Sequence, residues 1–424
     1  MKVGIIGAGL QGLCTAHYLT ERGVDVTIIE QEDGPGLQTS FGNGGCFTYS
    51  LPTVWNSPDA FKMFTGSILR PSSAPIQFRL KALPGMMAWG IHFLKYANEK
   101  DFFRLTDANK RLASFSQKCF ETLLDETGID CHYIDKGFLE IFENEVELNE
   151  HAKLTKSLVD DPEKVRVMDP GAVTAYEPSL KAIQNKLAGA ILLDGDKAGD
   201  SYIFCQQMES RLQSKGVVFH YGTAVDALKK QGSEFQLSLA GDSFVFDRLV
   251  IAAGNGSPTV ARKLGIRLPM KPSKGFSFTV PMDNLSVKPQ GPIVDITTRS
   301  GINPLGGKKL RYVGGAEFAG FDKSTPKEYW QKAENFFSRV LPEIDIMSLI
   351  EDEQPWIGYR PMSVDGVPMI GPTKVPGLYV NTAQGWLGWT MAAGSAQLLV
   401  DLMLPRENDS LPLDAKDYDL SRFS

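Results

Sequence analysis

The chain opens with Lys2-Val3-Gly4-Ile5-Ile6, which runs directly into Gly7-Ala8-Gly9-Leu10-Gln11-Gly12. The first stretch predicts a short buried strand, and the second is a G-x-G-x-x-G turn that opens a helix. A second apolar strand, Asp25-Val26-Thr27-Ile28-Ile29, ends at Glu30. In this order the glycines bring backbone N–H groups close to a pyrophosphate, and the acid binds a ribose hydroxyl. The opening therefore predicts a parallel α/β unit that binds a dinucleotide.

The bulk composition is that of a folded globular protein. The chain has 424 residues, 42% of them hydrophobic, and a formal net charge of −6. The length leaves room for two or three domains of about 100–200 residues each. The charge argues against a nucleic-acid-binding protein, which needs a basic face. The glycine motif begins near the first residue and no apolar run reaches about 18 residues, so we expect neither a signal peptide nor a transmembrane helix.

The cysteines and histidines do not form a metal-ligand or disulfide pattern. There are five of each, the cysteines have no C-x-x-C spacing, and the histidines are scattered. We therefore expect no metal site and no disulfide framework. Reduced thiols suit a cytoplasmic protein.

The middle of the chain predicts a second unit. Strands near residues 276–280, 292–297 and 310–315 indicate an antiparallel sheet inserted between pieces of the first unit. We expect an α/β (mixed α+β) fold with a Rossmann-like domain and an inserted antiparallel-sheet domain for the substrate. The expected ranges are 1–80, 150–265 and 355–424 for the cofactor-binding domain, and 81–149 with 266–354 for the substrate-binding domain.

Two later segments resemble the N-terminal motif, in which a buried strand runs into a turn of small residues. Residues 247–256 predict a buried strand that ends in small residues, which let the backbone lie close to a nucleotide. Residues 377–382 predict another strand, residues 383–388 a glycine-punctuated turn, and residues 389–403 a long amphipathic helix. The N-terminus of such a helix stabilises negative charge on a ligand.

These segments together resemble the FAD-dependent amino-acid oxidoreductase family, which includes D-amino-acid oxidases, glycine oxidases and sarcosine oxidases. The resemblance covers nearly the whole chain. Its most specific stretches are Gly358-Tyr359-Arg360-Pro361-Met362-Ser363-Val364-Asp365-Gly366-Val367-Pro368 and Asn381-Thr382-Ala383-Gln384-Gly385-Trp386-Leu387-Gly388-Trp389-Thr390-Met391-Ala392. Within the family, these stretches and residues 51–130 are most similar to bacterial D-amino-acid dehydrogenases (small subunit).

The resemblance implies a noncovalently bound FAD. Sarcosine oxidases tether the flavin to a cysteine in their C-terminal third, whereas no cysteine follows Cys205 here. On the family's pattern the FAD contacts fall on Gly7, Gly9, Leu10, Gln11, Gly12, Glu30, Gln31, Thr39, Ser40, Gly44, Gly45, Val225, Ala253, Gly254, Arg360, Gly385, Gly388, Trp389, Thr390 and Met391.

The resemblance assigns Arg360 to the substrate carboxylate. A guanidinium offers a permanently charged fork that matches a carboxylate, and Pro361 favours an extended backbone at Arg360. The alternative is a salt bridge, for example with Asp365. Trp386 and Tyr312 are further candidates for the substrate pocket. Trp386 fits a place in the core equally well, and for Tyr312 a place in the core or on a sheet face is the favoured alternative.

The implied reaction is oxidative deamination of D-amino acids to 2-oxo acids and ammonia, with electrons passed to a quinone or another non-oxygen acceptor. Two alternatives stay open. One is an oxidase that uses O₂, of the glycine, sarcosine or D-proline/D-hydroxyproline type. The other is a flavin-bearing electron-transfer subunit.

The sequence allows two different environments for one segment, residues 78–97. It has apolar residues at helical spacing beside basic ones: Met86, Trp89, Phe93 and Ala97, with Arg79, Lys81, Lys95 and Lys100. The pattern fits a helix packed on the body of the protein. It also fits a peripheral contact with the inner face of the cytoplasmic membrane, because basic residues beside an apolar, Trp-bearing face are typical of interfacial helices.

Overall fold

The computed structural model describes residues 1–69, 76–239, 241–283, 285–350, 355–406 and 410–423. The helices are α1 (Leu10–Glu21), α2 (Ala60–Leu69), α3 (Leu83–Lys95), α4 (Glu99–Thr127), α5 (Glu145–Leu158), α6 (Pro170–Tyr176), α7 (Ser201–Ser214), α8 (Ser257–Arg262), α9 (Lys327–Val340), α10 (Ile346–Ile350) and α11 (Ala392–Met403). The strands are β1 (Lys2–Ile6), β2 (Asp25–Ile29), β3 (Cys46–Phe47), β4 (Gln77–Phe78), β5 (Phe138–Phe142), β6 (Val165–Met168), β7 (Gly189–Leu193), β8 (Lys197–Ala198), β9 (Val218–His220), β10 (Ala227–Gln231), β11 (Glu234–Leu239), β12 (Asp242–Phe246), β13 (Arg248–Ile251), β14 (Met270–Pro281), β15 (Ile293–Asp295), β16 (Ser300–Leu305), β17 (Lys309–Phe318), β18 (Trp356–Ser363), β19 (Met369–Pro372) and β20 (Leu378–Thr382).

The predicted parallel unit is confirmed as a six-stranded sheet in the order β19-β20-β13-β1-β2-β9. All its neighbours are parallel except β19 and β20. One face packs against the helical layer that contains α1, α7 and α11. The other face packs against a three-stranded antiparallel sheet, β10-β11-β12, and α8. Because both faces are covered, the strands read as continuous apolar runs.

The predicted antiparallel strands are also confirmed, in a sheet that is larger than expected and includes two parallel pairs, β15 with β5 and β17 with β4. Its order is β18-β14-β17-β16-β15-β5-β7-β6, and β4 pairs with β17. Helix α9 covers one face with a buried aromatic layer that includes Phe336 and Phe337. Strands β6 and β7 pair in this sheet although their residues lie within the range 150–265. The exact division into two domains stays a prediction.

Helix α11 differs from its prediction in extent and character. It begins at Ala392, three residues later than expected, and nine of its twelve residues are buried. It is therefore a core helix and not an amphipathic one. Its small residues allow close packing, since a Cβ added at Gly394 would lie 2.7 Å from the Cα atom of Ser116 in α4.

Helix α3 packs on the body of the protein, as one of the two interpretations proposed. Met86, Trp89 and Phe93 are buried, and the Trp89 ring lies 5.3 Å from that of Phe318. The Trp-bearing face is thus directed inward, which excludes it as a membrane-facing surface. None of the described helices combines the length and the apolar character that crossing a membrane requires.

Candidate functional site

The glycine turn after β1 is built so tightly that side chains do not fit. Gly7 has a φ of +114°, a conformation that other residues rarely adopt. A Cβ added at Gly7 would lie 2.5 Å from the Ala252 carbonyl oxygen, and one at Gly12 only 1.9 Å from the Gly7 carbonyl oxygen. Gly9 caps α1 without a side-chain hydrogen bond. The N-cap residue of α1 therefore has no side chain in the place where a phosphate would bind.

Glu30 stands at the end of β2, beside this turn. Its Oε2 accepts a hydrogen bond from the Ala8 N–H (2.7 Å), and its Oε1 accepts one from the Glu32 N–H (3.0 Å). Burial raises the pKa of Glu30, and the backbone N–H groups partly oppose that effect. Each carboxylate oxygen keeps a second lone pair, so the group can still accept hydrogen bonds from ribose hydroxyls.

Residues 39–45 connect the glycine turn to the nine-stranded sheet. The Thr39 hydroxyl donates to the Tyr359 carbonyl oxygen (2.7 Å), and the Ser40 hydroxyl accepts from the first N–H of α1 (3.4 Å). Gly45 has a φ of +75°, and a Cβ added there would lie 2.1 Å from Nδ2 of Asn303. The predicted contacts of this segment thus lie between the parallel sheet and the antiparallel one.

The C-terminal turn before α11 approaches the same region. The Gln11 side chain donates from Nε2 to the Gly388 carbonyl oxygen (2.7 Å), and the Thr390 hydroxyl accepts from the Thr48 N–H (3.0 Å). Ala383 and Gly385 have φ values of +65° and +60°. The first and last predicted cofactor segments are therefore hydrogen-bonded to each other, directly at Gln11.

The remaining predicted cofactor residues differ in their exposure and in their distance from the glycine turn. Ala253 and Gly254 follow β13, next to the glycine turn, and Val225 is partly buried against the hydrophobic cluster beside them. Gln31 is exposed. Trp389 and Met391 lie in the core, where Trp389 packs on Phe47 at 4.9 Å between ring centroids.

Arg360 lies on β18, with its guanidinium over the backbone of β14. Its Nη1 donates to the Gly315 carbonyl oxygen at 3.0 Å. A Cβ added at Gly275 would lie 2.6 Å from Nη1 and 2.9 Å from Cζ, so the guanidinium occupies the space that a side chain would fill. Burial lowers the pKa of Arg360 from its usual value, and the group stays a cation.

The guanidinium has no carboxylate partner among the residues that the structure describes. Asp365, the partner that the salt-bridge alternative suggested, instead pairs with Arg422, with its Oδ2 2.7 Å from Nε. A desolvated cation that lacks a counter-ion attracts an anionic ligand, because burial without a partner is unfavourable. The site therefore has the chemistry of a carboxylate-binding position.

The two tentative pocket residues have different environments. Trp386 is half-buried and donates from Nε1 to the Thr53 carbonyl oxygen (3.1 Å), in the C-terminal turn. Tyr312 is fully buried, donates its hydroxyl to Ser300 Oγ (2.8 Å) and stacks on Phe278 beneath α9. Tyr312 thus faces the aromatic layer, on the opposite side of the sheet from the Arg360 guanidinium.

Sequence reasoning missed three residues that shape this site. Gly275 and Gly315 set the position of the Arg360 guanidinium, and Arg311 donates from Nη1 to the carbonyl oxygens of Phe41 and Asn43 (both 3.2 Å). Their signal in the sequence is weak, because a glycine or an arginine in a strand has no distinctive pattern until the neighbouring strand is known.

The described residues contain no cluster of three or more His, Cys, Asp or Glu side chains that could hold a metal ion. All five cysteines are unpaired, and burial raises the pKa of Cys46, Cys119 and Cys131 to about 12.

These features fit a bound dinucleotide. The glycine turn, the glycine N-cap of α1 and the Glu30 carboxylate offer pyrophosphate and ribose contacts in the usual order along a first βαβ unit. The segments at residues 39–45 and 383–391 extend the site toward Arg360. The end of such a cofactor that extends away from the glycine turn would thus lie near the candidate carboxylate position.

Comparisons with known proteins agree with this arrangement. A family model described as FAD dependent oxidoreductase matches residues 2–402. The chain is 32% identical to a D-amino acid dehydrogenase from Rhizobium johnstonii over the whole of both chains, and 33% identical to one from Paramagnetospirillum magneticum over 98% of each. Among solved structures it resembles glycine oxidase from Geobacillus kaustophilus (TM-score 0.71, 21% identity, 99% of this chain and 98% of that one) and L-proline dehydrogenase from P. horikoshii (TM-score 0.71, 16% identity, 100% and 97%). At these identities the solved structures establish the fold.

Proposed function

This chain belongs to the FAD-dependent oxidoreductase family, and we propose that it oxidises D-amino acids to 2-oxo acids and ammonia. The observation that carries the proposal is the Arg360 guanidinium, which is desolvated and has no carboxylate partner in the described part of the chain. An amino acid supplies the missing carboxylate. The curated relatives named D-amino acid dehydrogenase support the D configuration.

The residues proposed to hold the FAD are those of the glycine turn, Glu30 and the segments at residues 39–45 and 385–391. We propose that the cofactor is held without a covalent bond, since no cysteine follows Cys205. When bound, FAD supplies a hydride acceptor, which no amino-acid side chain can replace.

The chain's own contribution is the orientation of the substrate. Arg360 binds the carboxylate through two N–H groups and so fixes the direction of the Cα–H bond. With the amine neutral, loss of hydride from Cα leaves an imino acid. Water hydrolyses the imino acid to a 2-oxo acid and ammonia, and the step at Cα requires no protein base.

The first test is anaerobic mixing of the FAD-loaded protein with paired D- and L-amino acids while the flavin absorbance is recorded. We expect D-amino acids to bleach the flavin and their L forms to leave it unchanged. A flavin that no amino acid bleaches would contradict the proposal and favour an electron-transfer subunit.

Arg360→Ala tests the proposed role of the guanidinium. We expect the KM for D-amino acids to rise by about 100-fold or more, because two charge-assisted hydrogen bonds of about 1.5 kcal/mol each are lost. Arg166→Ala, at an exposed arginine that pairs with Asp194, is the control and should leave KM unchanged. An unchanged KM in Arg360→Ala would remove Arg360 from the substrate site.

We also propose a peripheral membrane contact and a quinone as the electron acceptor. The supporting feature is the outer face of α3, which consists of Met87, Ile91 and Leu94, with 64%, 58% and 38% of their surface exposed. Their spacing of four and three residues puts them on one stripe of the helix. Lys81 and Lys95, both exposed near the two ends of α3, add attraction to anionic lipid.

Sedimentation with phosphatidylethanolamine–phosphatidylglycerol vesicles tests the membrane contact. We expect the protein to bind and Ile91→Glu to release it, whereas Val146→Glu, at an equally apolar and 64% exposed position in α5, should not. Equal binding by all three proteins would contradict the contact. Formation of hydrogen peroxide in air, in place of quinone reduction, would indicate an oxidase.

A further inference from the structure

Strand β17 contains a β-bulge close to the candidate substrate site. The register of β14 against β17 shifts between Lys274, which faces Glu317, and Phe276, which faces Gly314. Two residues of β17 therefore lie opposite one residue of β14. Gly315, one of the two, has a φ of +77°. A glycine with positive φ is characteristic of one type of bulge, and bulges near functional sites often redirect a neighbouring side chain.

The bulge lies directly against the Arg360 guanidinium. Nη1 donates to the Gly315 carbonyl oxygen at 3.0 Å, and a Cβ added at Gly275, the residue opposite the bulge, would lie 2.6 Å from Nη1 and 2.8 Å from Nη2. The backbone of β14 and β17, at Gly275 and Gly315, thus fixes the position of the guanidinium. A relative movement of β14 and β17 would therefore change the backbone contacts of the guanidinium.

Two buried and oppositely charged residues, Lys274 and Glu317, pair beside the bulge on the other face of the sheet. Successive side chains of a strand alternate between faces, so Lys274 is directed away from the face that Gly275 offers to Arg360. Lys274 Nζ lies 3.4 Å from Glu317 Oε2 and 3.0 Å from Asp322 Oδ2. Lys274 and Glu317 have no exposed surface. Charges buried to this extent persist only when they are paired, so the two side chains hold their strands together.

Tyr329 of α9 joins this ion pair to the bulge. Its hydroxyl donates to Glu317 Oε2 at 2.6 Å, and its ring stacks on Phe276 with centroids 4.5 Å apart. A Cβ added at Gly315 would lie 3.6 Å from Cζ of the same ring. The ion pair, the tyrosine and the bulge backbone therefore form one packed unit behind Arg360.

We infer that Lys274 and Glu317 are positioning residues for substrate binding: they clamp β14 and β17 beside the bulge and so hold Gly315 and the Arg360 guanidinium in place for a carboxylate. The inference rests on the proposed function, in which Arg360 binds that carboxylate. Arg79 also pairs with Glu317, so Glu317 keeps a counter-ion when Lys274 is replaced. This makes Lys274 the better position to perturb.

The test compares Lys274→Met with the wild-type FAD-loaded enzyme. We expect the KM for D-amino acids to rise about ten-fold with little change in kcat, because a small misplacement of the guanidinium weakens carboxylate binding. The Kd of propionate, a simple carboxylate probe measured by calorimetry, should rise in parallel. Lys274→Arg, which keeps the charge, should recover part of both losses.

Arg339→Met is the matched control. It removes the ion pairs that join α9 to another part of the same sheet: Arg339 Nη2 lies 2.7 Å from Glu143 Oε1, just after β5, and 3.6 Å from Asp295 Oδ2 in β15. It should lower stability while KM and the propionate Kd stay unchanged. Equal KM changes in Lys274→Met and Arg339→Met, or an unchanged propionate Kd in Lys274→Met, would overturn the inference. If no D-amino acid bleaches the wild-type flavin, the proposed function fails, and the propionate Kd alone then decides the inference in the same two directions.

Discussion

Gly275→Ala is the sharpest perturbation that the structure offers, because it adds one methyl group beneath the Arg360 guanidinium. The new Cβ would lie 2.6, 2.8 and 2.9 Å from Nη1, Nη2 and Cζ. Non-bonded heavy atoms prefer separations of about 3.5–4.0 Å, so the guanidinium must move by about 1 Å. Its atoms are the far end of a flexible side chain, so the movement falls on Arg360 and not on the sheet.

A displacement of about 1 Å at a substrate-positioning group typically lowers kcat/KM by about 100-fold, which corresponds to about 2.7 kcal/mol of transition-state stabilisation. We expect most of this loss in KM, because Arg360 is proposed to bind the carboxylate. The free energy of unfolding should change little, since the Gly275 backbone stays in its strand. Steady-state kinetics with a D-amino acid and a soluble dye, together with urea unfolding, measure both quantities.

The control is Gly90→Ala in α3, where an added Cβ has no neighbour within 4 Å. This variant should keep the wild-type KM. If Gly275→Ala also kept a KM within about two-fold of wild type while it folded normally, the guanidinium would not be located by the backbone beneath it, and the reasoning for Gly275, Gly315 and Lys274 would fail together.

Three further predictions concern the rest of the molecule. Gly12→Ala should abolish FAD retention, measured as the flavin-to-protein ratio. The new Cβ would lie 1.9 Å from the Gly7 carbonyl oxygen, so the backbone of the turn would have to move. A yellow variant with normal FAD content would contradict this. Burial lowers the pKa of His17 from 6.5 to about 4, so the unfolded state binds the proton first, and stability present above pH 6.5 is lost as the pH falls toward 4. The loss is about 3 kcal/mol and should be absent in His17→Gln, as urea unfolding at several pH values would reveal. Burial raises the pKa of every thiol, so the native protein should react slowly with a colorimetric thiol reagent and the unfolded protein rapidly. Fast reaction of the native protein at more than the two partly buried thiols, Cys46 and Cys119, would refute the burial of Cys14, Cys131 and Cys205.

The parallel sheet could be predicted from the sequence in detail because its signals are local. Residues 2–6 and 25–29 were predicted as strands with the bounds that the structure has. Each is a continuous apolar run next to a glycine turn or an acid, and the two lie close together in the chain. The helix after residue 388 was predicted less well. Its extensive burial depends on α1 and α4, which pack on it from distant parts of the chain.

Helix α3 also shows that burial depends on packing partners that lie far away in the sequence. Helical spacing predicted the face with Met86, Trp89 and Phe93, and that face is buried. Met87, Ile91 and Leu94 are also apolar and also follow a helical spacing, yet they are exposed. Periodicity identifies apolar stripes on a helix, but only the packing of neighbours determines which stripe faces inward.

The sequence by itself determined the dinucleotide turn and the acid that follows it, because each is carried by residue types at short spacing. Arg360 became a candidate carboxylate ligand through the family resemblance of residues 358–368. Tertiary structure alone decided that Asp365 pairs with Arg422 and leaves Arg360 without a carboxylate partner in the described part of the chain. It also decided that two glycines and a buried ion pair, far apart in sequence, surround the bulge that holds the guanidinium. The physical reason is that strand register and side-chain pairing arise between segments distant along the chain, and a single sequence carries no local signal for them.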